Sequence, residues 1–274
     1  DVPSTVTNVE VASHVTRIQS KAFKNCTILT NVSLPLGLKA IGENAFNNCR
    51  SLKSIVIPSS VEVIRSGAFC DCSSLETVDL PEGLKAIPHA CFIRCASLAK
   101  APIPSTVVDI RVNAFWDCQA LPSVELPMGL ETIGKGAFAN CRSLCRVLVP
   151  SSVISIGMMA FSECYGLHTV EISIVSSALQ SIGRYAFNSC KALFCVALPK
   201  NCGVDASAFL YCKRLTQAFE CDGKALNDCL RSRFDSLPAH AFCYQEVHDS
   251  MFDSTGISKL KKDNETMYPT DTKD

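Results

Sequence analysis

Phenylalanine recurs every 23 residues, at Phe23, Phe46, Phe69, Phe92, Phe115, Phe138 and Phe161, and then at Phe187 and Phe209 after steps of 26 and 22. Three residues after each Phe stands a cysteine: Cys26, Cys49, Cys72, Cys95, Cys118, Cys141, Cys164, Cys190 and Cys212. Three residues further stands a leucine: Leu29, Leu52, Leu75, Leu98, Leu121, Leu144, Leu167, Leu193 and Leu215. Five residues before most of the Phe stands an isoleucine, from Ile18 to Ile182. A fixed short period of this kind leaves few folds open. Each unit must bury its apolar side chains against copies of itself, which predicts a solenoid.

Each unit reads L-x-x-V-x-L-P, then a turn, then L/V-x-x-I-x-x-x-A-F-x-x-C. In SLKSIVIP (51–58) apolar and polar residues alternate, β-branched residues are frequent, and a proline ends the run, so this part is a strand. The Ala-Phe-x-x-Cys part spaces apolar residues by three, as one helical turn requires. The unit is too short for two helices, which excludes armadillo-type and tetratricopeptide solenoids. One unit buries too few side chains to offset the entropy of ordering it, so stacking on neighbours must supply the difference and the strands must align in parallel. A second period of 46 residues overlies the first. Turns with Gly-Leu (Gly37-Leu38, Gly83-Leu84, Gly129-Leu130) alternate with turns carrying Ser or Thr before Val (Ser60-Val61, Thr106-Val107, Ser152-Val153). The three-residue excess before Phe187 falls around Ile174 to Ser177 and is expected as a surface bulge.

Side chains alternate across a strand, so the residue between V and L in L-x-x-V-x-L points outward. That column reads Glu10, Ser33, Val56, Asp79, Pro102, Glu125, Leu148, Glu171, Ala197. The column two residues earlier reads Asn8, Asn31, Ser54, Thr77, Lys100, Ser123, Arg146, Thr169, Cys195. Exposed apolar groups beside acidic ones suit a protein or peptide partner, so the candidate binding face comprises Val56, Asp79, Lys100, Pro102, Glu125, Arg146, Leu148 and Glu171. Drift after duplication explains a patterned surface column equally well.

Lys and Arg number 26 and Asp and Glu number 26, giving a formal net charge of zero. Together with the absence of a basic stripe, this excludes nucleic acid as the default partner. Trp116 is the only tryptophan, which also disfavours carbohydrate. No apolar run reaches the roughly 20 residues of a membrane span. No Gly-x-Ser-x-Gly, His-Glu-x-x-His, Gly-Lys-Ser/Thr or Gly-x-Gly-x-x-Gly motif occurs, so no catalytic residue and no cofactor is assigned. His14 and His89 fall in turns and read as solvated surface. The cysteines total 17, an odd number, and those outside the ladder lack C-x2-C pairs. Stacked Cβ vectors point the same way, so the ladder cysteines read as small buried residues whose thiols bond a backbone group rather than as disulfides. Cys221, Cys229, His240 and Cys243 carry zinc-ligating side chains, but helix-face packing explains them equally, and no metal is assigned. The odd count and the single-thiol ladder favour an intracellular compartment, with the cell surface left open. Glycosylation sequons stand at Asn25, Asn31 and Asn264.

The segment IGENAFNNCRSLKSIVIP (41–58) and its copies resemble the BspA-like class of leucine-rich repeats, over roughly residues 6 to 215. The resemblance implies a right-handed curved solenoid, with a parallel β-sheet on the concave face and short helical turns or short strands on the convex face. It also implies a non-enzymatic role in binding proteins, as an interaction scaffold; the alternatives are a cell-surface adhesin or receptor ectodomain, and a regulatory domain of a larger protein whose activity lies outside this chain. The expected organisation is a solenoid over 1–220, a helical cap over 221–248 and a polar linker over 249–274. In the cap, Leu226, Leu230, Phe234 and Leu237 have helical spacing, and SLPAHAFC (236–243) resembles the opening of an ankyrin helix, as in the tails of leucine-rich-repeat proteins of diatoms and other microalgae. The chain begins at Asp1 rather than Met and is expected to be part of a longer protein, possessing further sequence after the linker. The fragment is expected to be monomeric, without a membrane span.

Overall fold

The computed structural model describes residues 3–172, 177–199, 202–215 and 217–220. The expected cap, the ankyrin-like segment, the linker and most of the expected bulge lie outside these residues.

Every L-x-x-V-x-L segment but one forms a strand, and these strands line one side of the stack in three parallel sheets. The strands are β1 (Asn8–Glu10), β3 (Asn31–Ser33), β5 (Ser54–Val56), β7 (Thr77–Asp79), β10 (Ser123–Val124), β12 (Arg146–Val149), β14 (Thr169–Ile172), β16 (Cys195–Leu198) and β18 (Gln217–Glu220). The register sets like on like. Ile55 lies opposite Val78 and Val56 opposite Asp79, while Val147 lies opposite Val170 and Leu148 opposite Glu171. Ile55, Val78, Val147 and Val170 are buried in the core, and their outward neighbours stay at the surface. The exception is the unit containing Pro102. Proline has no N–H for the ladder, and pairing there shrinks to a single bridge between Thr77 and Lys100.

A second parallel ladder runs along another side of the stack. Its two-residue strands are β2 (Arg17–Ile18), β4 (Ala40–Ile41), β6 (Val63–Ile64), β8 (Ala86–Ile87), β9 (Asp109–Ile110), β11 (Thr132–Ile133), β13 (Ser155–Ile156), β15 (Ser181–Ile182) and β17 (Gly203–Val204), paired from β2 to β6 and again from β8 to β17. The isoleucine of the repeat is the inward residue of this ladder and is buried from Ile18 to Ile182.

The Ala-Phe-x-x-Cys segments make the i→i−3 bonds of a helical turn, but only at alternate residues. The N–H of Ala45 donates to Gly42, that of Asn47 to Asn44 and that of Cys49 to Phe46, at 3.3, 3.1 and 3.2 Å. The N–H groups in between turn along the stack: Asn44 donates to Ser66, Phe46 to Ala68 and Asn48 to Cys70, at 3.0, 2.8 and 2.8 Å. This alternation needs a left-handed residue on each side of the phenylalanine. Asn44 and Asn48 have φ of 53° and 66°, and the same two positions are left-handed in the following units, as at Asn113, Asp117, Gly136 and Asn140. Asparagine, aspartate and glycine adopt this conformation most readily, which explains their recurrence there. The result is a third hydrogen-bonded side built from turns.

These three sides enclose one continuous core from Ile18 to Leu215. The nine phenylalanine rings stack face over face, with adjacent centroids 4.9–5.5 Å apart and interplanar angles of 2–14°. The stack runs through the insertion without a break, since Phe161 and Phe187 are 5.3 Å apart. The 46-residue period also has a structural basis. The hydroxyls of Ser60, Thr106 and Ser152 donate to the carbonyls of Leu38, Leu84 and Leu130 at 2.7–2.8 Å. Each Ser/Thr-Val turn thus clasps the Gly-Leu turn before it, and the glycine of the next pair has no side chain with which to extend the clasp.

Candidate binding face

The cysteine ladder is closed chemistry. Each thiol from Cys49 to Cys212 donates to the carbonyl of the phenylalanine one unit earlier, as Cys118 does to Phe92 at 3.2 Å, over a range of 3.0–3.2 Å. The ladder cysteines from Cys49 to Cys212 are thiols and form no disulfide. Burial pushes the Cys49 and Cys164 thiols up to about 12, and it raises those of Cys72, Cys95, Cys118, Cys141 and Cys190 well above the ordinary thiol value. Such groups stay protonated and are neither nucleophiles nor ligands. Cys145 is the exposed exception, with its thiol donating to the Ser143 carbonyl at 3.1 Å. Among the described residues no group of three His, Cys, Asp or Glu side chains is placed to hold a metal ion. The Cys221, Cys229, His240 and Cys243 quartet lies outside them. His14 and His89 are exposed, as expected.

The accessible chemistry lies on the face of β1, β3, β5, β7, β10, β12, β14 and β16. Val56 and Leu148 stand out from it with 69% and 50% of their surface exposed. Asp79, Lys100, Pro102, Glu125 and Arg146 are exposed beside them, and Glu171 is half-buried. The eight residues share one side of the stack because β-strand alternation and like-on-like register carry each outward column from unit to unit. Their charges are not equivalent. The Arg146 guanidinium lies 2.5 Å from the Glu171 carboxylate on the adjacent strand, so this acid is already engaged. The carboxylates of Asp79 and Glu125 make no hydrogen bond or ion pair with the described residues. They are free acids of the face, as is Glu10 on its first strand.

Two apolar residues escaped the sequence reading. Leu36 and Met128, at the apices of Gly-Leu turns, are 86% and 74% exposed. They occupy the place filled by Glu82 in the intervening Gly-Leu turn, and the signal was an apolar residue where a turn apex is ordinarily polar. Leu36 borders a groove of about 500 Å³ with Glu10, Ser33 and Pro35 at the first turns of the stack. Trp116 is part-exposed on the turn-built side, off the strand face. At the other end of the stack, the Tyr165 ring lies between the Arg142 guanidinium, 5.6 Å from its centroid, and the Lys191 amine at 4.5 Å. Of the two described sequons, Asn31 uses its amide Nδ2 to donate to Asn8 Oδ1 at 2.7 Å, while Asn25 accepts through Oδ1 from Asn48 at 2.9 Å.

The model of the BspA type leucine rich repeat region, with six copies, matches residues 3–122 and 110–230. The chain belongs to this family. A leucine-rich repeat protein from Bacteroides ovatus shares the fold at a TM-score of 0.58, with 24% identity over 89% of this chain and 82% of that one. Also similar are a leucine-rich repeat protein of T. pallidum and a leucine-rich cell surface protein of Faecalibacterium prausnitzii. The first has 27% identity over 68% of this chain and 78% of its own, at a TM-score of 0.48. The second has 28% identity over 85% and 82%, at 0.40. None of the curated proteins matches. No described helix is long and apolar enough to cross a membrane.

Proposed function

We propose that the chain is a non-enzymatic scaffold that binds a protein or peptide through its strand face, the concave side of a leucine-rich-repeat solenoid. The observation that carries this reading is the exposure of Val56 and Leu148 on the strand face beside the free carboxylates of Asp79 and Glu125. Apolar groups held out of the core with charges around them are the composition of a recognition patch. The family supports it, because BspA-type repeats supply a frame and leave function to the surface columns.

The test is capture from a lysate of the source organism with the wild-type chain and with Asp79→Lys/Glu125→Lys, after circular dichroism shows both equally folded. Glu171 is left alone because its replacement would strand Arg146. A protein retained by the wild type and lost from the variant is expected. Identical captures would overturn the assignment of this face.

A further inference from the structure

The outward column of the strand face alternates strictly over six consecutive units: Val56, Asp79, Pro102, Glu125, Leu148, Glu171. Apolar and acidic groups therefore each recur every second unit. We propose that this face takes an extended peptide in the polyproline-II conformation, with a lysine or arginine at every third residue, lying along the axis of the stack. The proposal rests on the reading of this face as the binding surface and adds the chemistry and shape of the partner.

Two independent features favour this conformation. The first is spacing. Neighbouring parallel strands lie about 4.8 Å apart, so acids on alternate strands recur about every 9.6 Å. Three residues of a polyproline-II helix advance about 9.3 Å and return to the same side. The nearest α-helical equivalent is seven residues, which advance about 10.5 Å. An ordinary β-strand puts every third residue on its opposite face. From Asp79 to Glu125, across two units or about 9.6 Å, the polyproline-II repeat falls short by about 0.3 Å and the α-helix overshoots by about 0.9 Å.

The second feature is the column beside the acids: Ser54, Thr77, Lys100, Ser123, Arg146 and Thr169. Every member is a hydrogen-bond donor, and all but half-buried Thr169 are exposed. A polyproline-II chain has no internal hydrogen bonds and offers its carbonyls along its length, whereas an α-helix has already used them. A row of donors is complementary to the first and gains nothing from the second. The ligand's cations then meet Asp79 and Glu125, its apolar residues rest on Val56, Pro102 and Leu148, and its carbonyls face the donor row.

The experiment is fluorescence polarisation with labelled synthetic peptides against the full chain. One peptide repeats Lys-Pro-Pro. A second has the same composition with its lysines in one block. A third is a helical peptide with lysine at every seventh residue and leucine between. The Lys-Pro-Pro peptide is expected to bind at least about tenfold tighter than either of the others, and to lose about tenfold with Asp79→Asn/Glu125→Asn. Equal binding of the block peptide would reduce the effect to net charge and overturn the proposal. So would tighter binding of the helical peptide, or no binding of any. The capture experiment separates these failures from failure of the binding face itself: a partner still lost from the lysine variant leaves the scaffold standing and removes only this class of ligand.

Discussion

The ladder cysteines show how a single residue type can be fixed by a backbone atom. Each phenylalanine carbonyl from Phe46 to Phe161 accepts twice, from the N–H of the cysteine three residues on and from the thiol of the next unit. A small, weakly polar group is the one that fits, since the pocket is fully buried. This has a pH consequence whose sign is fixed by the raised values. Cys49 and Cys164 stay protonated in the fold up to about 12, against an ordinary 9.0 in the unfolded chain. Their contribution is fully present below pH 9 and is lost as the pH rises from there towards 12. The melting temperature of the wild type should therefore fall above pH 9, and that of Cys49→Ala/Cys164→Ala should fall less steeply. Parallel curves would show that the thiols do not titrate as buried groups. Reactivity follows the same division. Iodoacetamide at pH 8 should modify Cys145 in the native protein and leave Cys49, Cys118 and Cys164 unmodified until denaturant is added, as read by peptide mapping. The ladder and its burial were legible in the sequence because a period of 23 residues forces stacking. The ion pair of Arg146 with Glu171 was not, because a two-residue offset between columns does not say which long side chain will cross to the next strand.

At the scale of the element, the turns around the phenylalanines decide the geometry of the stack. From Phe23 to Phe161, a left-handed residue two before and two after the Phe aims three N–H groups at the next unit, and the side chains there add a polar ladder of their own. Asn48 donates to Asn25 at 2.9 Å, Arg94 to Asp71 at 2.5 and 2.8 Å, and Asn140 to Asp117 at 2.5 Å. Where the unit carries a less suitable residue, strain is retained: Met159 has φ 59° and Ala90 φ 57°. Met159→Gly should raise stability by up to about 1 kcal/mol, the left-handed cost of roughly 1–2 kcal/mol less the entropy of glycine. The reverse change, Gly136→Val, places a branched side chain at φ 62° against the Asn113 carboxamide and should cost at least about 2 kcal/mol. Urea midpoints check both, and a stabilising Gly136→Val would refute the account of these turns. The strands were legible from alternation alone, down to the inward and outward columns. The turns were legible only as three-residue spacing, which a helical turn and this alternating turn share. The distinguishing signal was the recurrence of Asn, Asp and Gly at Asn44, Asn48, Asn113, Asp117, Gly136 and Asn140.

At the scale of the whole molecule, each unit touches only the one before and the one after, so a defect is felt according to how many neighbours it faces. Leu121 lies in the fifth of nine units and is buried. It also stands at a seam. The strand that follows it, β10, pairs only onward to β12, because the preceding unit carries Pro102 and forms no strand. Across this seam the two halves are joined by the second ladder through β8, β9 and β11, by turn bonds such as Phe92 to Ala114, and by core contact. Leu121→Asp removes a core side chain and buries a charge with no partner beside a gap in strand pairing. The expected cost is more than about 3 kcal/mol, with a broadened or two-step urea transition as the halves uncouple. Leu29→Asp makes the same substitution near the start of the stack, where only the short segment of β1 precedes it, and should cost less and leave the transition single. A Leu121→Asp midpoint equal to the wild type would overturn the inward assignment of the leucine column. Equal effects of the two substitutions would instead show that stability is shared over the whole stack, in which case the Pro102 seam is not a mechanical boundary and the binding face behaves as one rigid surface from β1 to β16.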